Sequence, residues 1–171
     1  MLIPAPPHLQ PRRIVVFDLD GTLCDIKHRL HFIETRAGHC DSDVNSIDMR
    51  CTEDWDAFYA ACPNDEPVWP LIVLAQTLHA AGFYIAVVSG RSAAVQEQTV
   101  EWLKTHNVPF HKLFMRPEGN NTPDHELKKA WFEAANLKPE DVFMVLEDRE
   151  HVVKMWRDLG LVCLQVKNGE Y

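Results

Sequence analysis

Five apolar runs punctuate the chain, at 14–17, 83–88, 112–115, 142–146 and 161–166. The first four give way to polar groups: Asp18, then Ser89-Gly90-Arg91, then Arg116, then Glu147-Asp148-Arg149. Unbroken apolarity, in place of strict alternation, is the pattern of strands covered on both faces, as in parallel sheets. Between the runs lie segments with helical spacing. Pro70 opens one in which Leu71, Leu74, Leu78 and Ala81 share a face, with Gly82 as its left-handed stop. Ser92 caps a second that carries Val95, Thr99, Trp102 and Leu103. Thr122-Pro123 reads as cap and first helical position of a third, leading to Leu127, Ala130, Trp131 and Ala134, with Asn136 as its stop. A fourth, 149–159, presents Val152, Met155, Trp156 and Leu159 before Gly160. Strand followed by helix, repeated, predicts an α/β domain wound on both sides of a parallel sheet.

Residues 24–66 interrupt this alternation. They contain Leu30, Phe32 and Ile33, a polar middle, and then Trp55, Phe58 and Tyr59. A long insert in a compact domain is usually functional, so this one is expected to form a small cap over the reactive edge. The expected division is a domain over 12–171, with 24–66 as the insert and 1–11 as an N-terminal extension.

In such sheets ligands bind beyond the carboxyl ends of the strands. Here those ends carry acids, a hydroxyl and arginines, which converge on one rim. Asp18 and Asp20 are the most informative pair. Two positions apart on extended chain, they point to the same side at roughly 6–7 Å. Like charges that close raise one pKa or call for a cation between them. His39, Cys40, Asp41 and Asp43 lack the paired spacing of a structural zinc site and are read as ordinary side chains.

Composition narrows the reading. The 171 residues suit one globular domain, and 17 basic against 25 acidic residues, net charge −8, argue against a broad surface tracking a nucleic-acid backbone. A polyanionic substrate would have to be met by a local arginine cluster. Cys24, Cys40, Cys51, Cys62 and Cys163 form no CxxC pair and fit reduced thiols. No apolar run approaches a membrane span and the proline-interrupted start is unlike a signal peptide, so a cytoplasmic protein with no membrane partner is expected.

Asp18-Leu19-Asp20-Gly21-Thr22, Ser89-Gly90-Arg91, a later lysine and Glu147-Asp148, in that order, resemble the motifs of the haloacid dehalogenase (HAD) superfamily. Within it, Arg29, the spacing Arg116…Asp124…Lys128 and the run Glu147-Asp148-Arg149 are similar to the phosphatase domains of bacteriophage polynucleotide kinase-phosphatases. The resemblance implies a HAD-like Rossmannoid three-layer sandwich with a central parallel sheet and a small cap inserted after the first strand. It implies Asp18 as nucleophile, Asp20 as acid and base, and Lys128 as the cation beside them, helical periodicity alone leaving Lys129 as a rival. It further implies Mg2+ held by Asp18, Glu147, Asp148 and the Asp20 carbonyl, with Thr22, Arg29, Ser89, Gly90, Arg91, Arg116 and Asp124 toward phosphate or substrate. Two departures stand out. No GxxxxGK[ST] loop is present, so only the phosphatase half is expected, and Glu147 stands where the family usually has aspartate.

The implied activity is removal of a phosphate from a 3′-phosphorylated nucleic-acid end, with a separate kinase or ligase as partner. A nucleotidase or small-molecule phosphatase is the second reading, and a catalytically weakened module that binds phosphate ends the third.

Overall fold

A computed structural model describes residues 13–33 and 53–168. Five parallel strands, β1 (Ile14–Phe17), β4 (Tyr84–Ser92), β5 (Lys112–Arg116), β6 (Val142–Glu147) and β7 (Cys163–Gln165), form one sheet in the order β5-β4-β1-β6-β7. A second, antiparallel pair joins β2 (Cys24–Asp25) to β3 (Glu66–Pro67). This pair is the neck of the insert: Cys24 lies opposite Pro67 and Asp25 opposite Glu66. The polar middle of the insert, with His39, Cys40, Asp41, Asp43 and Cys51, lies outside the described residues.

Alternate side chains of the central strands enter two cores. Val15 and Phe17 of β1, with Ile85 and Val87 of β4, pack on one face with Ile72, Ala75, Trp102 and Leu103. Val16, Ala86 and Val88 pack on the other with Phe132, Val152, Val153 and Trp156. The helices that supply them are α2 (Trp69–Ala80), α3 (Gln96–Thr105), α4 (Asp124–Ala134) and α5 (Glu150–Asp158). The result is the expected three-layer α/β arrangement, each fully buried aliphatic side chain contributing roughly 1.5–3 kcal/mol.

The helix boundaries differ from the sequence reading in two places. Pro123 is the residue before α4, with an extended ψ of 142°, and Thr122 makes no cap: the helix starts at Asp124. Ser92 caps a short 3-10 turn, Ala93–Val95, through Ala94 N, and α3 follows only at Gln96. Among the described residues no helix is long and apolar enough to cross a membrane. Their cysteines, Cys24, Cys62 and Cys163, are buried free thiols.

The flanks of the insert pack on the body of the domain. A 3-10 helix, Lys27–Phe32, precedes the undescribed stretch, and α1 (Trp55–Ala60) follows it. Phe58 belongs to the first core, and Leu30, Phe32, Ile33 and Tyr59 pack against it partly buried.

Candidate active site

Sheet register decides which polar residues meet. Phe17 lies opposite both Val87 and Leu146, and the Asp18 amide donates to the Leu146 carbonyl at 2.9 Å. Asp18 therefore leaves β1 beside Glu147 at the end of β6. The next turn closes on one carbonyl: the amides of Thr22, Leu23 and Cys24 all donate to Leu19 O at 3.2, 2.9 and 3.1 Å. Gly21 takes φ +86° in that turn, a value glycine adopts without a Cβ clash.

Opposite, β4 carries a bulge. Ser89 pairs with Met115 and Ser92 with Arg116, so three residues of β4 span one step of β5. The bulge turns Gly90 toward α4, where a Cβ would stand only 2.5 Å from Asp124 Oδ1. A side chain there would collide with a carboxylate that the site uses.

Lys128 joins these elements. Its buried Nζ lies 2.7 Å from Asp18 Oδ1, 2.8 Å from Glu147 Oε2 and 3.1 Å from Asp124 Oδ2. Lys129 lies on the surface, 3.9 Å from Glu133. Burial pushes the Asp18 carboxyl up to about 8; the Glu147 charge adds to this while Lys128 opposes it. Burial also raises Glu147, again against Lys128. For Lys128 burial works toward neutrality, but the three carboxylates outweigh it and hold the ammonium well above its usual range.

Oxygens of Asp18, Glu147 and Asp148 all lie within 4.8 Å of one another, and all three residues are buried. Lys128 pairs with Asp18 and Glu147 of this group and with Asp124, which also lies 3.7 Å from Arg116 Nη2 and 4.0 Å from Arg149 Nη1. The donor set of Asp18, Glu147 and Asp148, hard and oxygen-rich, fits a divalent cation of the magnesium type.

Asp20 faces a different environment. Arg29 Nη2 donates to its Oδ1 at 2.7 Å, and Arg91 Nη2 donates to the same oxygen. Burial alone would raise this carboxyl; Arg91 and then Arg29 overcome that and hold it well below the usual carboxylate range. The two arginines are themselves held by Asp65. Arg29 binds it through Nε at 2.7 Å and Nη2 at 2.8 Å, and Arg91 Nη2 at 2.7 Å. Asp65 further pairs with His28 Nε2 at 2.9 Å and accepts from the Cys24 thiol at 3.3 Å. Its backbone carbonyl accepts from Trp102 Nε1 at 2.8 Å.

An open cavity of about 700 Å³ covers this rim. Asp18, Asp20, Gly90, Arg116, Asp124 and Glu147 contribute to its wall. Arg116 is fixed by the Gly90 carbonyl at 2.8 Å and the Asn120 carbonyl at 3.2 Å. Arg29, Arg91, Ser89 and Thr22, expected to face substrate, do not line the cavity. The arginines lie beneath it on carboxylates, and buried Ser89 Oγ accepts from the Arg91 amide at 3.2 Å. Thr22 is wholly buried, its hydroxyl without a hydrogen-bond partner among the described residues.

Two contributors were not singled out as site residues in the sequence. Asp65 precedes β3 in an unpatterned polar stretch, Pro63-Asn64-Asp65-Glu66, and only the closure of the insert brings it to the arginines. Arg149 lines the cavity with its Nη1 4.0 Å from Asp124 Oδ2; its place directly after the two terminal acids was the available signal.

Residues 39–171 match the family described as the polynucleotide kinase PNKP phosphatase domain. A protein of Autographa californica nuclear polyhedrosis virus, described as a candidate bifunctional polynucleotide kinase/RNA ligase, is 36% identical over 78 residues, 45% of this chain and 11% of that one. Among solved structures, one of a Pnkp1/Rnl/Hen1 complex is similar with a TM-score of 0.71 at 25% identity, covering 95% of this chain and 48% of that one. A haloacid dehalogenase-like hydrolase from Streptococcus pneumoniae shares the fold, with a TM-score of 0.62 at 15% identity over 90% of this chain and 84% of its own. The chain thus spans about half of the first solved chain and about a tenth of the viral protein.

Proposed function

The chain belongs to the PNKP phosphatase-domain family of HAD phosphatases, and from that premise we propose that it is a magnesium-dependent phosphomonoesterase that clears 3′-phosphates from nucleic-acid ends through an aspartyl-phosphate. The observation that carries the reading is the Lys128 bridge between Asp18 and Glu147, with Asp148 beside them, on the rim of an open cavity.

Asp18 is the nucleophile in its ionised form, which Lys128 favours and a bound magnesium would favour further, against the burial that raises its carboxyl. An oxygen of its carboxylate bonds to phosphorus as the bond from phosphorus to the 3′-oxygen breaks, and its fixed position at the end of β1 supplies in-line aim. Lys128 offsets the negative charge shared by nucleophile and phosphoryl group. Asp20 protonates the departing oxygen, then takes a proton from the water that attacks phosphorus, releasing phosphate and restoring Asp18. Two guanidiniums now hold Asp20 as a carboxylate, the form needed for the second step. For the first, its carboxyl must leave them and take up a proton as substrate binds. Arg116 and Arg149 supply positive charge at the wall for phosphate oxygens.

Asp18, Glu147, Asp148 and the Asp20 backbone carbonyl would hold magnesium, which neutralises charge on the phosphoryl oxygens when bound. The wider assignment follows from the product. Ligation needs a free 3′-hydroxyl, so a kinase and a ligase are natural companions, in keeping with the names of the viral relative and the Pnkp1/Rnl/Hen1 complex.

The test is release of phosphate from 3′-phosphorylated oligonucleotides, mononucleotides and sugar phosphates, with magnesium. Preference for the oligonucleotide end is expected. Equal turnover of all three would overturn the end-clearing assignment while leaving a phosphatase.

A further inference from the structure

The cavity has a wall that the reaction at its rim does not use. Helix α1 lends it three aromatic side chains, Trp55, Phe58 and Tyr59. They are differently placed. Phe58 is buried in the core beneath the Arg29 guanidinium, 4.2 Å from its ring centre. Tyr59 is partly buried, its hydroxyl 3.4 Å from the Gly90 carbonyl. Trp55 alone is exposed, at 40%.

We infer that Trp55 is the stacking surface for the nucleobase of the nucleotide bearing the scissile phosphate, and so a specificity-determining residue of this site. The inference rests on the 3′-phosphatase reading above. Its position is firm: Asp54 caps α1 through the Ala57 amide at 2.9 Å, and the Trp55 ring packs 5.5 Å from Phe58 and 5.8 Å from Tyr59. The indole N–H is satisfied by Glu53 Oε2 at 2.9 Å, so the ring can meet a ligand without leaving a polar group unpaired.

Size favours a leaving group that carries a base. A phosphate fills only a small part of about 700 Å³, and the remainder must accommodate what the phosphate is attached to. Trp69 is more exposed, at 55%, but does not line this cavity. Stacking on an indole serves every base, since each has a π face, so little preference among bases is expected.

The experiment compares two 3′-phosphorylated oligonucleotides, one with a normal terminal base and one with a tetrahydrofuran abasic residue in its place. Wild type should process both, with KM about ten-fold higher for the abasic end. Trp55→Ala should raise KM for the normal end by about ten-fold, leave kcat unchanged and leave the abasic end unaffected. Trp55→Phe should behave as wild type, while Trp55→Leu, which fills space without a π face, should behave as alanine. Equal effects of Trp55→Ala on both ends, no effect on either, or indistinguishable Phe and Leu variants would overturn the stacking role and leave the phosphatase reading intact. Failure of wild type to release phosphate from either end would overturn that reading, and the inference with it.

Discussion

Lys128 Nζ stands 2.7 Å from Asp18 Oδ1, tying α4 to the end of β1 at the point where the chemistry is proposed. Replacing Lys128 with methionine keeps the length and removes the charge, leaving Asp18, Asp124 and Glu147 without it. Loss of at least about 100-fold in kcat is expected, from the loss of charge stabilisation. Stability should fall by about 3–5 kcal/mol in the absence of divalent ions, as a buried charge loses its partner. Steady-state kinetics and urea unfolding check the two effects separately.

Magnesium should stabilise the protein as well as activate it. At a concentration about 100 times its dissociation constant, a bound ion adds about 2.7 kcal/mol to the folded state. Thermal unfolding with and without magnesium reads this without reference to turnover. Asp148→Asn should abolish the shift, and an unchanged shift would remove Asp148 from the ligand set.

The arginine pair beneath the cavity governs acid stability. Because Asp20 is held below its usual value of 3.8, the stability it contributes is complete above that pH and is lost as pH falls toward the folded-state value. Asp20→Asn should therefore be less stable than wild type at neutral pH, and the difference should shrink on acidification below about pH 4. Arg29→Met, which leaves Asp20 and Asp65 one guanidinium short, should cost about 3–5 kcal/mol. Urea midpoints measured at pH 7 and pH 3 provide the comparison.

Gly90 makes room for Asp124. An alanine Cβ would sit 2.5 Å from Asp124 Oδ1, and Asp124 is held by Lys128 at 3.1 Å. Gly90→Ala should cost about 1–3 kcal/mol through overpacking and lower kcat by displacing Lys128. Unchanged kcat would separate Asp124 from the function of Lys128.

The strands and their order of polar ends were legible in the sequence because buried parallel strands are unbroken apolar runs, as at Val15, Val16 and Phe17. The adjacency of Asp18 and Glu147 follows from sheet order, which repeated strand-helix units imply only in outline. Lys128 and Lys129 are neighbours in sequence, and only the packing of α4 separates the buried one from its exposed companion. Thr122 looked like a cap, but its carbonyl accepts from Arg116 and the extended Pro123 delays the helix to Asp124, whose side chain turns into the site. Arg29, Asp65 and Arg91 carry no shared local pattern. They meet because β2 and β3 close the insert and the β4 bulge delivers Arg91 beneath the cavity. Arg29 and Arg91, expected as substrate clamps, hold Asp20 and Asp65 here, while Arg116 lines the cavity.

The central claim is that Asp18 transiently carries phosphorus. Rapid acid quenching during turnover of a 3′-phosphorylated oligonucleotide, followed by proteolysis and mass spectrometry, tests it directly. A peptide with one added phosphoryl group on Asp18, absent from Asp18→Asn, is the expected result. Full turnover with no phosphorylated peptide, or with the group on another residue, would contradict it.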